Sequence, residues 1–332
     1  MSGIGIADRV LDCTVIAGYT SVGYRIRERG WEQRDLPRMD GRVVLVTGAT
    51  SGIGRAAAEG FARLGATVRI LARDPRRGGL ARDEIVAQSG NSDVAVELCD
   101  LSNLASVRAF GARFSARAER LDVLVNNAGV LTGERVLSAD GIELTFATNV
   151  LGPFLLTNTL LKLLERSAPS RVINVSSGGM YTQRLHVDDL QMAGEAFDGA
   201  VAYARTKRIE VILTEMWAQR LRDTGVVVHA MHPGWVDTPG LASSLPRFYR
   251  LTRPFLRTPR QGADTIVWLG AAPEPDCSTG RFWHDRRARP TDRVPWTKES
   301  HEERARLWAE CERLSTDAGE PALTVHRGPT ER

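Results

Sequence analysis

Short, continuously apolar runs rich in β-branched residues recur along the middle of the chain. Between them lie longer segments whose apolar positions return every three to four residues. The first pattern fits strands buried on both faces, the second helices that bury one face. Strands are predicted at Val43–Thr47, Thr67–Ala72, Val94–Leu98, Leu121–Asn126, Arg171–Ser176, Val226–Met231 and Arg281–Trp283, and helices over 77–89, 103–118, 140–166, 201–223 and 260–271. Strand–helix alternation with short connections predicts an α/β fold, a doubly wound and mostly parallel seven-stranded sheet with helices on both faces. This domain spans residues 39–290. Residues 1–38 precede it as an extension whose helix carries Val10, Leu11, Val15 and Ile16 on an apolar face. Residues 291–332 follow it. There Trp296, Leu307, Trp308, Cys311 and Leu314 fall near helical spacing and are expected to pack on the core, before a polar tail expected to be disordered after about residue 316.

Composition narrows the class. With 42% hydrophobic and 25% charged residues the chain can bury a full core, and a net charge of +4 over 332 residues is too small to imply a nucleic-acid partner. The four cysteines, Cys13, Cys99, Cys277 and Cys311, lie far apart without CxxC spacing, so they read as unpaired thiols with no metal site. Charges interrupt the moderately apolar stretch 9–24, and no run of 18 apolar residues occurs, so neither a signal peptide nor a spanning helix is expected and the chain reads as cytoplasmic.

Chemistry enters at the first strand–helix junction, Thr47-Gly48-Ala49-Thr50-Ser51-Gly52-Ile53-Gly54. Glycines here allow a tight turn and let backbone N–H groups approach a pyrophosphate at a helix N-terminus, where the dipole favours negative charge. The spacing is G-x3-G-x-G, not the commoner G-x-G-x-x-G. At the tip of the second strand an acidic residue would hold ribose hydroxyls and repel a 2′-phosphate. Arg73 stands there instead, and a guanidinium suits a phosphate. Arg55 is a candidate second cation, and Asp74 is the competing determinant one residue on.

Tyr203 and Lys207, at i and i+4 on a predicted helix, share one face. A phenol titrates at about 10 in water. A neighbouring ammonium stabilises the phenolate, so the pair suits proton transfer to and from a carbonyl or alcohol oxygen. A hydroxyl at the end of the fifth strand, Ser176 or Ser177, can hydrogen-bond such an oxygen as charge develops on it.

In their order along the chain, Thr-Gly-x-x-x-Gly-Ile-Gly, Asn126-Asn127-Ala128-Gly129, Asn149, Ser176-Ser177, Tyr203-x-x-x-Lys207 and His232-Pro233-Gly234 resemble the short-chain dehydrogenase/reductase superfamily over residues 41–285. The resemblance implies a Rossmann-type fold, a nicotinamide cofactor and a carbonyl/alcohol oxidoreductase. Arg73 and Arg55 are similar to the NADP(H)-preferring branch, which makes NAD(H) the lesser expectation. It implies Asn149, Ser177, Tyr203 and Lys207 as the catalytic set, with Tyr203 and Lys207 also contacting the cofactor, Lys207 on the nicotinamide ribose, and Asn149 anchoring a water. It implies cofactor contacts from Gly48, Thr50, Ser51, Gly52, Ile53, Gly54, Asp100, Leu101, Asn127, Ala128, Gly129, Pro233, Gly234, Val236 and Thr238, with Asp100 on the adenine and Thr238 on a cofactor phosphate, and it gives Asn126 a role tying strands together. Homo-oligomers are common in the family.

Ser177 and Tyr203 are 26 residues apart, about twice the usual separation, and similar insertions occur in the retinol-dehydrogenase-like group. The insertion, Tyr181 to Gly199, is expected to border the substrate cavity. Residues 245–260 carry Arg247, Arg250, Arg253, Arg257 and Arg260, no acid, and interleaved Leu, Phe and Tyr residues. In the family this region is the substrate lid. A basic, amphipathic lid suits a lipophilic small-molecule substrate and peripheral contact with a membrane surface. Retinol- or steroid-type dehydrogenases are the alternative enzymes. An idle cofactor-binding regulator is the alternative class, against which stand the intact Tyr203 and Lys207.

Overall fold

The computed structural model describes residues 8, 11, 15–31, 36–194, 196–293 and 297–317. Val10, Cys13, Trp296 and the tail beyond residue 317 lie outside them. Two short helices, α1 (Val15–Tyr19) and α2 (Ser21–Glu28), precede the sheet domain. The domain then runs β1 (Val43–Thr47), α3 (Gly52–Arg63), β2 (Thr67–Ala72), α4 (Pro75–Ser89), β3 (Val94–Leu98), α5 (Leu104–Arg117) and β4 (Val123–Asn126). It continues with α6 (Leu144–Arg166), β5 (Ser170–Val175), α7 (Gly199–Arg220), β6 (Val226–Met231), α8 (Pro239–Ser244), α9 (Pro246–Thr252), α10 (Pro259–Ala271), β7 (Phe282–His284), β8 (Arg287–Arg289) and α11 (His301–Asp317).

The strands form one sheet in the order β3-β2-β1-β4-β5-β6-β7-β8. All neighbours are parallel except β7 and β8. The sheet therefore has eight strands, one more than the apolar pattern predicts. β8 is Arg-Ala-Arg, too polar to read as a strand, and a tight hairpin through Asp285 and Arg286, both at positive φ, sets it against β7.

Each face of the sheet carries its own core. On one side α3, α4 and α10 pack Ala57, Phe61, Ile85 and Ile266 against the strands. On the other, α5, α6, α7 and α11 contribute Phe110, Phe154, Ile212, Trp217 and Trp308. The C-terminal helix thus packs on the core as its apolar spacing predicts. By length and composition α6 is apolar enough to cross a membrane, but 72% of that window is buried inside the protein, where it is a core helix. The chain order reverses on either side of β1 and β4, so the loops after these strands diverge and open a crevice at the carboxyl ends of the strands.

Candidate active site

The crevice is a cavity of about 800 Å³ running from the β1–α3 turn to α7 and the lid helices α8 and α9. Gly48 and Gly52 in the turn have φ of +65° and +55°, a region costly for residues with a Cβ. A Cβ on Gly48 would also come within 2.7 Å of the Ala128 Cα, and one on Gly54 would strike the Gly48 carbonyl and the Asn127 amide. Asn127 holds this junction closed, donating to the Thr47 carbonyl at 2.9 Å while its own N–H donates to the Thr47 hydroxyl. Gly48, Thr50, Ser51, Gly52, Ile53 and Gly54 all line the cavity, as do Asp100, Leu101, Asn127, Ala128, Gly129, Pro233, Gly234, Val236 and Thr238.

At the adenosine end the charged candidates have different surroundings. Asp74 caps α4, accepting from the Arg77 N–H at 2.9 Å, so its carboxylate is committed to the helix. Arg73 lines the cavity, as do Asp74 and Arg77, the latter one helical turn beyond Arg73 and not singled out by the sequence. Arg55 does not line it: its guanidinium pairs with Glu84 of α4. Asp100 accepts from the Ser102 N–H and hydroxyl, and Asn103 caps α5.

At the opposite end the tip of β5 and one face of α7 bring together the candidate proton-transfer groups. Ser176 turns inward and donates to the Lys207 carbonyl at 2.7 Å. Ser177 lines the cavity and hydrogen-bonds the Tyr203 hydroxyl. Tyr203 and Lys207 lie on one face of α7, with the Lys207 Nζ 5.4 Å from the Tyr203 ring centre. Burial pushes the Tyr203 phenol up; Lys207 and Ser177 oppose this, Glu210 reinforces it, and the net shift is upward. Burial alone would depress the Lys207 ammonium, but Glu210 and Tyr203 more than offset it. Asn149 sits in a π turn, Ala147–Leu151, inside α6. It is fully buried, accepts from the Val130 N–H at 2.8 Å, and donates to the Val130 carbonyl and the Thr206 hydroxyl. An interruption of this kind in an otherwise regular helix is a frequent mark of a functional site. Below it Asn126 joins β4 to β5 and α6 through Asn174 and Thr157.

Two expectations change. The insertion between Tyr181 and Gly199 mostly leaves the cavity: among its described residues only Tyr181's neighbour Thr182 lines it, while Leu185, Val187 and Leu190 join the core under α7. Their apolar side chains are drawn to the core, not to an open cleft. The lid does line the cavity, through Leu241, Leu245 and Phe248. Its arginines are not equivalent, however: Arg260 pairs with Glu59, and Arg257 is 1% exposed.

Arg257 belongs to a buried ionic cluster that the sequence did not signal. It grips Asp285 with both terminal nitrogens, at 2.5 and 2.9 Å, and donates to the carbonyls of Gly18, Tyr19 and Pro233. Arg27 from α2 meets the same Asp285 at 2.8 Å and Asp8 at 2.8 Å. The extension is thereby fastened behind the His232-Pro233-Gly234 turn. The Tyr19 ring packs on His232, 4.6 Å between centres, and fills the space beside Gly178. The Tyr19 carbonyl accepts from the Trp235 N–H.

A glycine-cradled crevice at the reversal point of a parallel sheet, ending at a Tyr–Lys pair on one helix, is the arrangement of the short-chain dehydrogenases, and the chain belongs to that family. The family model for short chain dehydrogenase matches residues 42–247. Dehydrogenase/reductase SDR family member 12 of Bos taurus is 43% identical over 275 residues, covering 82% of this chain and 86% of that protein. Retinol dehydrogenase 11 of Homo sapiens is 42% identical over 251 residues, covering 75% and 78% respectively. Among solved structures, a protein from Mycobacterium paratuberculosis superposes with a TM-score of 0.68 at 31% identity over 86% of this chain and 97% of that one. The NADP complex of Pseudomonas aeruginosa RhlG does so at 0.61 and 27% identity, over 74% and 94%.

Proposed function

We propose that the protein is an NADP(H)-dependent oxidoreductase that interconverts a carbonyl and an alcohol on a lipophilic substrate, with Tyr203 as the general acid and base. The observation that carries this is the single cavity joining the glycine turn and Arg73 at one end to Ser177, Tyr203 and the apolar lid at the other. Its residues fit a dinucleotide: the turn leaves no room for a Cβ where a pyrophosphate would lie, and Arg73 and Arg77 would hold a 2′-phosphate. Lys207 would hold the ribose next to the nicotinamide. When bound, the cofactor supplies or takes a hydride at the substrate carbon. The Ser177 hydroxyl orients the substrate oxygen. Tyr203 gives that oxygen a proton in reduction and takes one in oxidation, at a distance from bulk water set by Leu245 and Phe248. Asn149 keeps the loop at Val130 and the helix at Thr206 in register beside Lys207.

Cofactor choice is tested by titrating NADPH and NADH into the wild type and into Arg73→Ala/Arg77→Ala. A charge-assisted contact is worth about 1.5–3 kcal/mol when desolvated, and both arginines are exposed, so the expected loss is roughly tenfold in NADPH affinity with NADH little changed. Equal weakening of both cofactors would count against a phosphate-binding role.

For the substrate, retinol dehydrogenase 11 and its like make an elongated, apolar alcohol the first to try. The lid leaves Leu251 80% and Phe255 53% exposed beside Arg247, Arg250 and Arg253. Such a surface favours an anionic membrane, from which a lipophilic substrate enters between the lid helices. Sedimentation with anionic vesicles should fall several-fold in Leu251→Ser/Phe255→Ser, and activity should rise with aldehyde chain length. Indifference to vesicles and a preference for short aldehydes would remove this part of the proposal.

A further inference from the structure

One turn beyond Lys207 on α7, a third ionisable group completes the buried end of the site. The Glu210 carboxylate is 7% exposed, and its Oε1 accepts from the Lys207 Nζ at 2.7 Å. The same Nζ donates to the Val175 carbonyl at the end of β5, at 2.9 Å. The second carboxylate oxygen, Oε2, is buried with no hydrogen-bond partner among the described residues. A packed helix interior does not keep a half-satisfied carboxylate without cost. Lys207 is the charged group acting on Glu210, and burial outweighs that attraction enough to bring the carboxyl up to about 7. The other groups facing this end are neutral: the carbonyl of Val175 from β5, Asn149 from the π turn, and Thr206 and Tyr203 from α7 itself.

Resting on the assignment of Tyr203 above, we propose that Glu210 is a positioning residue that sets the charge felt by Tyr203, pinning the Lys207 ammonium and offsetting its field so that the phenol keeps its proton. Without Glu210 the ammonium is an uncompensated cation 5.4 Å from the Tyr203 ring, and the phenolate is favoured. The sign is the same for every member. The Glu210 charge raises both Tyr203 and Lys207, so its removal lowers both. The three protons belong to one coupled system, with the pH response of the site set by three groups where the Tyr–Lys motif shows two.

The test reads Tyr203 directly, without turnover. Tyrosinate absorbance is followed against pH in the wild type, Glu210→Gln, Glu210→Asp and Tyr203→Phe, and the Tyr203→Phe curve is subtracted to isolate one ring of the five. In Glu210→Gln the Tyr203 midpoint should fall by at least about one pH unit, roughly tenfold more phenolate at a given pH. In Glu210→Asp, which keeps the charge, it should stay within a few tenths of the wild type. An unchanged midpoint in Glu210→Gln, or an equal fall in Glu210→Asp, overturns the proposal. Should Glu210→Gln not fold, the wild type carries the test: infrared difference spectra should show the Glu210 carboxylate ionised at a pH where Tyr203 is still protonated, and a carboxyl that stays neutral there overturns the proposal, because it would carry no charge to offset the ammonium. A shifted midpoint in a protein whose turnover survives Tyr203→Phe would uphold the role of Glu210 and reject Tyr203 as the proton-transfer group, so the two claims fail separately.

Discussion

Tyr203→Phe is expected to lower turnover by about 10²–10⁴-fold, the range general acid–base groups contribute, while leaving NADPH affinity within about twofold of the wild type. The substitution removes one oxygen and keeps the ring that stands 5.4 Å from Lys207, so the packing of α7 is unchanged. Cofactor titration and aldehyde-dependent oxidation of NADPH on the same samples check both halves. Tight binding with turnover gone places the proton at Tyr203. Undiminished turnover would move it elsewhere, and a loss of binding in step with activity would mean that the hydroxyl supports the cofactor and not the chemistry.

Asp285→Asn is the second large effect, on stability. Asp285 is 2% exposed and is shared by Arg257 and Arg27, each with a side chain buried to within 3%. Removing its charge leaves two guanidiniums in the interior with one counterion fewer. Breaking such a buried pair costs about 3–5 kcal/mol, and for a chain of this size that lowers Tm by roughly 10 °C. The same cluster sets an acid limit. Burial alone would raise the Asp8 carboxyl, but Arg289 and Arg27 bring it down to about 2, and Arg257 and Arg27 hold Asp285 below its ordinary range against its own desolvation. Both are depressed in the folded state, so the unfolded chain binds more protons at acid pH. Their contribution is present above the ordinary carboxylate pKa of about 3.9 and is lost as pH falls from there toward about 2. Thermal unfolding of wild type and Asp285→Asn between pH 7 and 2 checks this: the gap between the two Tm curves should narrow below about pH 4, and a constant gap would exclude the linkage.

Since Arg257 also holds the carbonyls of Tyr19 and Pro233, the loss extends to the turn above the catalytic end. A lid arginine in the chain is therefore a core residue in the fold. Nothing in the run LPRFYRLTRPFLRTPR separates Arg257 from Arg253; the distinction comes from Asp285, 28 residues later, and from Gly18, more than 200 residues earlier.

The strands β1, β2, β3 and β6 begin and end where their largely apolar, β-branched runs do, because the inner strands lie under helices on both faces; the polar exceptions include Arg69 and, on the edge strand β3, Glu97. The glycine turn and the Tyr203–Lys207 pair are legible as candidates for a similar reason: each is a local arrangement set by spacing along one turn or one helix face. Glu210 lay within reach of the same rule, three residues from Lys207, but only its burial separates it from an ordinary surface pair. Long-range placement decided the rest. Arg73 and Asp74 both line the cavity, and what distinguishes them is that Asp74 also caps α4. Ser177 was separated from Ser176 by which hydroxyl the strand pleat turns toward Lys207's backbone. The insertion was drawn under α7 by its leucines, and the N-terminal extension acquired a place beside His232 through charges contributed by three distant parts of the chain. Spacing encodes neighbours on one element, but burial and charge pairing between elements exist only after the sheet has brought them together.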